Sequence, residues 1–598
     1  MLLEVTAPDL VSATVSVSWS GGLDNAALVV APVGTQQVAW GLFSEPRDVA
    51  GQTGAACPVF KLFVGLDHPW FACQGRAPTR NDVTLHLSGE SLYQAVWDDL
   101  GLVKQRVHAS TWWWQSQFEL VRPAGQPAMS GPERFQNTAI SLLESMPGVD
   151  VRVLVGAFAP QLAAGLAYLN TDPLLRSHAA DLDDGFEVMS QGNPTPVPVH
   201  GDYVPGIHPV PFVSRLESWH PELAGSALSS FVVPVTRSEV TAEVGSWHQK
   251  TWALDGRIAY VTGMNVKSTD WDTVEHAVFE PRRMKFMSSN ADRDAVAQKL
   301  ALPDLGPRKD YGVRVAGPLA RDLDDVFKQR WDWGIARHDL FSDTATSFDL
   351  LPRPEEPPGG IMAQLVVTMP EPFGERSIEE SVIKAVRNAK DLVYIEDQYF
   401  RVPMLLPALQ YALTLSPALN VVVVTKPVPA TDGGKKWTVY MDQELRKLAG
   451  ARYLLLQAMS YGVGQLQGPG SQVPVFQPID VHSKILLVDD VYLSVGSCNR
   501  NDRGFLLEGE ANVSVLDQPF VRESRIRLLQ NLSGDAAFDW TSPGAAVSAR
   551  LAAIAASNEA LRMEADATAA PPSAAPTGFV YPLEFSPDYL LDVGPDLY

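Results

Sequence analysis

The chain has 598 residues, 46% of them hydrophobic, which is enough apolar content to bury sizeable cores in two or more domains and too much for a disordered protein. Its formal charge of −22 argues against a long polyanion such as nucleic acid as partner, because nucleic-acid binders present a basic face, though a local basic pocket is compatible with it. No run of about twenty apolar residues marks an integral membrane anchor, and the start, Met1-Leu2-Leu3-Glu4-Val5, lacks the basic and long apolar regions of a secretory signal.

Residues 1–87 alternate in a β-like manner, as in Val11 to Trp19, between Gly-rich turns, and predict a small β-rich accessory segment. Cys57 and Cys73 are a candidate pair for an oxidising compartment, with two free thiols as the alternative. Leu92 to Leu100 has helical spacing, and Val107 to Trp114 then reads as a buried strand. Alternation sends the rings of Trp112, Trp113 and Trp114 to opposite faces, mostly for packing, with a choline-like cation on one ring as the functional alternative. Asp150 to Val155 is a second strand. Residues 183–215 are rich in Pro and Gly and predict an irregular stretch; His200, His208 and His220 lie in or beside it, but their spacing matches no ordinary zinc pattern.

At His248 the pattern His-x-Lys-x4-Asp appears, with Lys250 and Asp255, followed by Gly263-Met264-Asn265. It recurs at His482 with Lys484 and Asp489, followed by Gly496-Ser497-Cys498-Asn499, with the Asn at the same offset from the His. In each copy the residues between predict a strand, a tight turn at the Asp, and a second strand that carries the Asn back beside the His and Lys. A His and a Lys two residues apart on a strand share one face, so an imidazole, an ammonium and an amide from each copy converge on a small anion. Phosphate is the natural candidate: its oxygens need donors while one His attacks phosphorus and the other protonates the leaving oxygen. Cys498, inside the second motif, reads as an inert packing residue.

Between the copies, Ser377-Ile378-Glu379-Glu380 predicts a capping box opening a helix to about Asn388. A strand from Val393 and another at Asn420 to Val424 follow, and residues 462–478 predict an irregular stretch before the second motif. Beyond it, Ser542-Pro543 predicts a helix start, with Val547, Leu551, Ile554 and Leu561 on one apolar stripe docked on the body. A Pro/Ala linker, Ala569 to Thr577, leads to an aromatic tail from Phe579 to Tyr598.

The duplicated motif resembles the signature of the phospholipase D superfamily, in which HxKx4D is followed by GGxN or GSxN. Val393 to Phe400 resembles the family's IYIENQYF segment, and Asp310 to Pro318 with Phe327, Arg330 and Trp331 resembles the strand and helix that close its first half. The resemblance spans about residues 88 to 540. It implies an α/β fold of two pseudo-symmetric α/β/α halves, 88–345 and 346–540, packed around one active site, with 1–87 and 541–598 as flanking segments.

By that resemblance His248 is the nucleophile and His482 the acid, while Lys250, Lys484, Asn265, Asn499 and Ser497 hold the nonbridging oxygens and Gly263 occupies the place matching Ser497. No cofactor or metal is required. Thr262 departs from the family pattern, standing where Gly496 stands in the second copy. Motif position points to Asp310 and Glu510 as partners of the histidines, with Glu280 an alternative to Asp310, and Asp255 and Asp489 read as structural residues at the hairpin turns. The implied function is a phospholipase D acting on glycerophospholipid at a membrane surface. A nuclease or other phosphodiesterase, and a phosphatidyltransferase of the cardiolipin synthase type, are alternatives, and a non-catalytic scaffold a third class. The expected location is cytoplasmic or peripheral at a membrane, compatible also with export without a classical signal peptide. Two motifs in one chain remove the need for an oligomer to build the site.

Overall fold

The structure, a computed structural model, describes residues 68–157, 170–179, 185–193, 195 and 245–589. Beyond these it gives only the backbone of short strands between residues 2 and 66, 197 and 242, and at Leu591–Val593. The chain builds two sheets with one topology. In the first half the strand order is Phe186–Gly192, Asp150–Ala157, Arg106–Thr111, Thr251–Leu254, Ile258–Thr262, Gly312–Ala316 and Thr79–His86. In the second it is Tyr453–Gly464, Asn420–Val424, Leu392–Asp397, Lys484–Val488, Tyr492–Gly496, Glu510–Leu516 and Ile361–Met369. The first three strands of each series are parallel neighbours, and every later pairing is antiparallel. The parallel strands need helical crossovers; the antiparallel ones include the motif hairpin.

Each hairpin strand alternates between two cores, which is why its sequence reads as a continuous apolar run. Ile485 and Leu487 enter the core shared by the two sheets, whereas Leu486 and Val488 enter the outer core of the second half. Ala253 likewise faces the shared core while Trp252 and Leu254 face the outer core of the first half. The helices Pro318–Arg337 and Gln518–Ser533, one closing each half, add Leu319, Leu323, Val521 and Leu528 to the shared core. At about 1.5–3 kcal/mol per fully buried aliphatic side chain, this common core is the main force holding the halves together.

Several expectations need correction. The strand Thr79–His86 is no part of an accessory segment: Asp82 to His86 pair with Gly312–Ala316 and Thr79 to Asn81 with Ile361–Ala363, so it is the seam between the two sheets. Both halves open with such a strand before their first helix. Residues 183–215 are not wholly irregular, because Phe186–Gly192 is a buried strand. Residues 462–478 contain the end of one strand and a second, Val473–Pro478, antiparallel to it. Ser377 is the first residue of its helix and does not cap it; its hydroxyl accepts from Val367 N at 2.8 Å, and Glu380 receives Cys73 N instead. The C-terminal helix begins at Gly544, with Val547, Leu551 and Ile554 buried and Leu561 half-buried, and Val580–Pro582 adds an antiparallel strand beside Tyr453–Gly464. The backbone strands between residues 2 and 66 are antiparallel. The side chain of Cys57 lies outside the described residues, as do His200, His208 and His220.

The two motif aspartates fix the hairpins. Asp255 and Asp489 occupy the left-handed region at φ 50° and 51°, which Asp tolerates better than most residues. The carboxylate of Asp255 accepts from the amides of Lys104, Gln105 and Arg106 at 2.8–2.9 Å, and that of Asp489 from Lys390, Asp391 and Leu392. Each hairpin turn is thereby tied to the start of the neighbouring strand. Asp255→Ala or Asp489→Ala abandons three donors and strains the turn, so each should cost about 2–4 kcal/mol. Asp→Asn, which accepts the same φ, should cost roughly half of that. Urea unfolding midpoints would measure both; equal losses for Ala and Asn would mean that turn conformation contributes nothing.

Candidate active site

The two hairpins deliver the motif side chains to one region. Alternation puts His248 and Lys250 on one face and Gln249 on the other, where Gln249 Oε1 accepts from Arg330 at 2.8 Å. In the second copy Ser483 points away and donates to Glu396 at 2.7 Å. Lys250 Nζ donates to the carbonyl of His248 at 2.6 Å, and Lys484 Nζ to that of His482 and to Gln398 Oε1 at 3.3 Å. Asn265 Nδ2 donates to Asp270 at 2.8 Å. The Oδ1 atoms of Asn265 and Asn499 are buried with no partner among the described residues. Trp112 walls this face, its ring edge-on to the His248 imidazole at 5.8 Å between centroids, while Trp114 is fully buried.

Each histidine is completed by the opposite half. His248 Nδ1 bonds Glu510 Oε1 at 2.8 Å, and His482 Nδ1 bonds Asp310 Oδ2 at 2.7 Å. The backbone repeats the exchange: His248 N donates to Gly509 O and His482 N to Lys309 O, both at 2.8 Å. Asp310 is thus the carboxylate on the second imidazole. Glu280, the alternative, instead accepts from Arg282 Nε at 2.8 Å and lies on no histidine. With Nδ1 of each ring held by a carboxylate, Nε2 is the nitrogen left for chemistry.

Burial dominates the electrostatics. It lowers both imidazoles well below their ordinary value, with Lys250 adding to the effect at His248 and Arg308 at His482. It raises Glu510, and pushes Asp310 up to about 8 against the pull of Lys484 and Arg308. Each imidazole–carboxyl pair is therefore held at zero net charge, the state least penalised by a dry site. Burial also presses Lys250 down to about 7, helped by Lys484 and opposed by Glu510.

Ser497 does not reach toward a ligand: its hydroxyl donates to Glu510 Oε2 and accepts from Ala511 N at 3.0 Å, so it braces the carboxylate. The matching Gly263 leaves space that Asp310 fills, since a Cβ there would run into the carboxylate. The unusual Thr262 has a local explanation. Its Oγ1 accepts from Met264 N at 3.2 Å, and its strand neighbour is Gly312. In the second half the same amide, Cys498 N, is received at 3.1 Å by Oδ1 of Asn512, whose strand neighbour is Gly496. The oxygen and the glycine have exchanged strands while the loop amide keeps its acceptor. Burial raises the Cys498 thiol well above its ordinary range and keeps it protonated, in keeping with a packing role.

Sequence reasoning missed Glu508 and Asp270. Glu508 accepts from Ser246 at 2.9 Å and Arg503 at 2.8 Å; against the upward push of burial, the Arg503 guanidinium and these hydrogen bonds hold it down at about 2. Ligand atoms of His248, Glu508 and Glu510 lie within 4.8 Å of one another, so these residues could hold a metal ion, but His248 and Glu510 already bond each other and Glu508 is bound by Ser246 and Arg503. The advance signal for Glu508 was its place two residues before Glu510, the carboxylate that bonds His248.

The sequence is similar to those of several known proteins. Residues 382–530 match the family model described as cardiolipin synthase, PLD-like domain. The chain is 24% identical over 272 residues to the major cardiolipin synthase of Bacillus subtilis, covering 45% of this chain and 44% of that protein. It is 22% identical over 507 residues to phospholipase D alpha 1 of Arabidopsis thaliana, covering 69% of this chain and 58% of that protein. The chain thus spans about half the length of these relatives. Among solved structures, phosphatidylserine synthase of Haemophilus influenzae is 12% identical with a TM-score of 0.41, covering 76% of this chain and 87% of that one. The motif present twice, the family match in the second half and a phospholipase D relative aligned over 69% of the chain support the phospholipase D superfamily as the family of this chain.

Proposed function

We propose that the protein is a phospholipase D: it cleaves the phosphodiester between phosphatidic acid and the head group of a glycerophospholipid, through a phosphohistidine. The observation that carries this reading is the pair of histidine–carboxylate dyads, each assembled from both halves and flanked by Lys250, Lys484, Asn265 and Asn499. Nε2 of His248 attacks phosphorus while the Nδ1 proton stays on the bond to Glu510. His482 donates its Nε2 proton to the departing head-group oxygen, so the P–O bond breaks as the P–N bond forms. In the second step His482 takes a proton from water, whose oxygen displaces His248 and regenerates both rings. The lysine ammoniums and Asn amides hold the nonbridging oxygens through both steps, where fixed donors need little reorganisation. No step calls on a metal.

An alcohol in place of water yields phosphatidyl transfer. The cardiolipin synthase description of the family matched by residues 382–530 favours this as the second reading. In either reading the substrate is met at a membrane surface; among the described residues no helix is long and apolar enough to cross a membrane.

Three measurements test the proposal. With mixed phospholipid vesicles and a primary alcohol, wild type should yield phosphatidic acid and phosphatidyl-alcohol by mass spectrometry, and His248→Ala and His482→Ala should each lose at least about 10⁴-fold in rate. No lipid turnover, with cleavage of nucleic acid or a small diester instead, would replace it by a general phosphodiesterase. Glu510→Gln and Asp310→Asn keep the shape of the dyads but not the charge, and should each cost about 10²–10⁴-fold in kcat; a loss in KM alone would contradict their role. Because Lys250 sits near 7, its ammonium is present below that pH and lost as pH rises through it, so activity should fall on the alkaline side. Lys250→Arg keeps the charge at all working pH and should move that limb upward; an unmoved limb would assign it to another group.

A further inference from the structure

A row of charge runs along the His482 side of the site. Arg308 and Asp480 are paired across a parallel bridge, and each lies two residues before a dyad member, Asp310 and His482 respectively. The extended backbone therefore presents Arg308 and Asp480 on the face that carries the dyad. Asp480 is saturated: one oxygen takes Arg308 and the other takes Lys426 at 2.9 Å. Asp270 is saturated too, receiving Arg308 at 3.1 Å and both nitrogens of Asn265. Lys267, two residues after Asn265, ends the row. Its Nζ lies 4.4 Å from the centroid of Trp113 and makes no ion pair among the described residues. The row thus holds three cations against two carboxylates, beside Lys250 and Lys484, in a chain whose formal charge is −22. The side chains of Lys426 and Asp480 keep 30% and 40% of their exposure, so the row opens to solvent.

We infer that Lys267, Arg308 and Lys426 form a second anion subsite, which takes a further phosphate group carried by the substrate next to the scissile diester. The two catalytic lysines already answer the single charge of a phosphodiester, and the row supplies cation beyond it. It offers little to a choline-type head group: both carboxylates are occupied by cations and the Trp113 ring already carries an ammonium. The substrate class is therefore a lipid whose scissile phosphate adjoins a second phosphate, as in a diphosphate linkage. This rests on the phosphodiester reading above and names its substrate.

The test separates the two. Titration calorimetry of the full chain in metal-free buffer, with inorganic pyrophosphate and inorganic orthophosphate, reads the subsite without any turnover. Wild type should bind pyrophosphate at least about tenfold more tightly than orthophosphate. Lys267→Ala and Lys426→Ala should each cut that ratio severalfold and together bring it near unity, with melting curves confirming folded protein. A wild-type ratio near unity, or a ratio unmoved in the double variant, would overturn the subsite. Vesicles of phosphatidylcholine, with and without a diphosphate-linked diacylglycerol, complete the experiment. Turnover of the diphosphate lipid ahead of phosphatidylcholine, with the preference lost in the double variant, is the expected result; turnover without preference would overturn the subsite. Discrimination of pyrophosphate with no lipid turned over would leave the subsite standing and sink the phosphodiester reading.

Discussion

Everything at the site depends on one exchange: each half lends a carboxylate to the other half's histidine. The hydrogen bonds from His248 to Glu510 and from His482 to Asp310, with the matching backbone bonds to Gly509 and Lys309, lock the two sheets in register where the chemistry needs it. A buried imidazole alone would be neutral and free to choose its tautomer. A buried carboxyl alone would be costly to ionise. Paired across the interface, each removes the other's penalty and fixes which nitrogen faces the ligand. The common apolar core brings the halves together without strong angular preference; the dyads set the angle.

The motifs were legible because their chemistry is local. A strand, an Asp that tolerates positive φ, and a second strand lie within one short stretch, whereas the amides that Asp255 and Asp489 accept belong to the neighbouring strand, which no local spacing reveals. The partner of His482 was not legible in the same way, because Asp310 and Glu280 are equally compatible with the spacing, and only the parallel bridge between Arg308–Lys309 and Asp480–Val481 decides between them. The misread segment at 462–478 has a definite cause. Gly462 and Gly464 signalled a loop, but they sit in a strand because Val278 and the ring of Phe279 lie against the backbone there, where a Cβ would collide. Ser497 and Thr262 carry the same lesson: the residue types were right for the loop, yet what each hydroxyl bonds is set by the neighbouring strand.

Charge is divided between body and site. The acidic surface disfavours long polyanions at a distance, while the fixed ammoniums and guanidinium at the site act only within a few ångströms, beyond which salt screens them. A small anionic group is admitted by the second and little affected by the first.

The order in which the chain is made gives the crossed dyads a further meaning. His248 gains its carboxylate only after Glu510 has been synthesised, and His482 finds Asp310 only when the second sheet docks on the first. A nascent chain with its first half folded, or a fragment cut at the seam between Thr79–His86 and Ile361–Ala363, has no complete dyad. The geometry thereby withholds an assembled site from unfinished or broken copies.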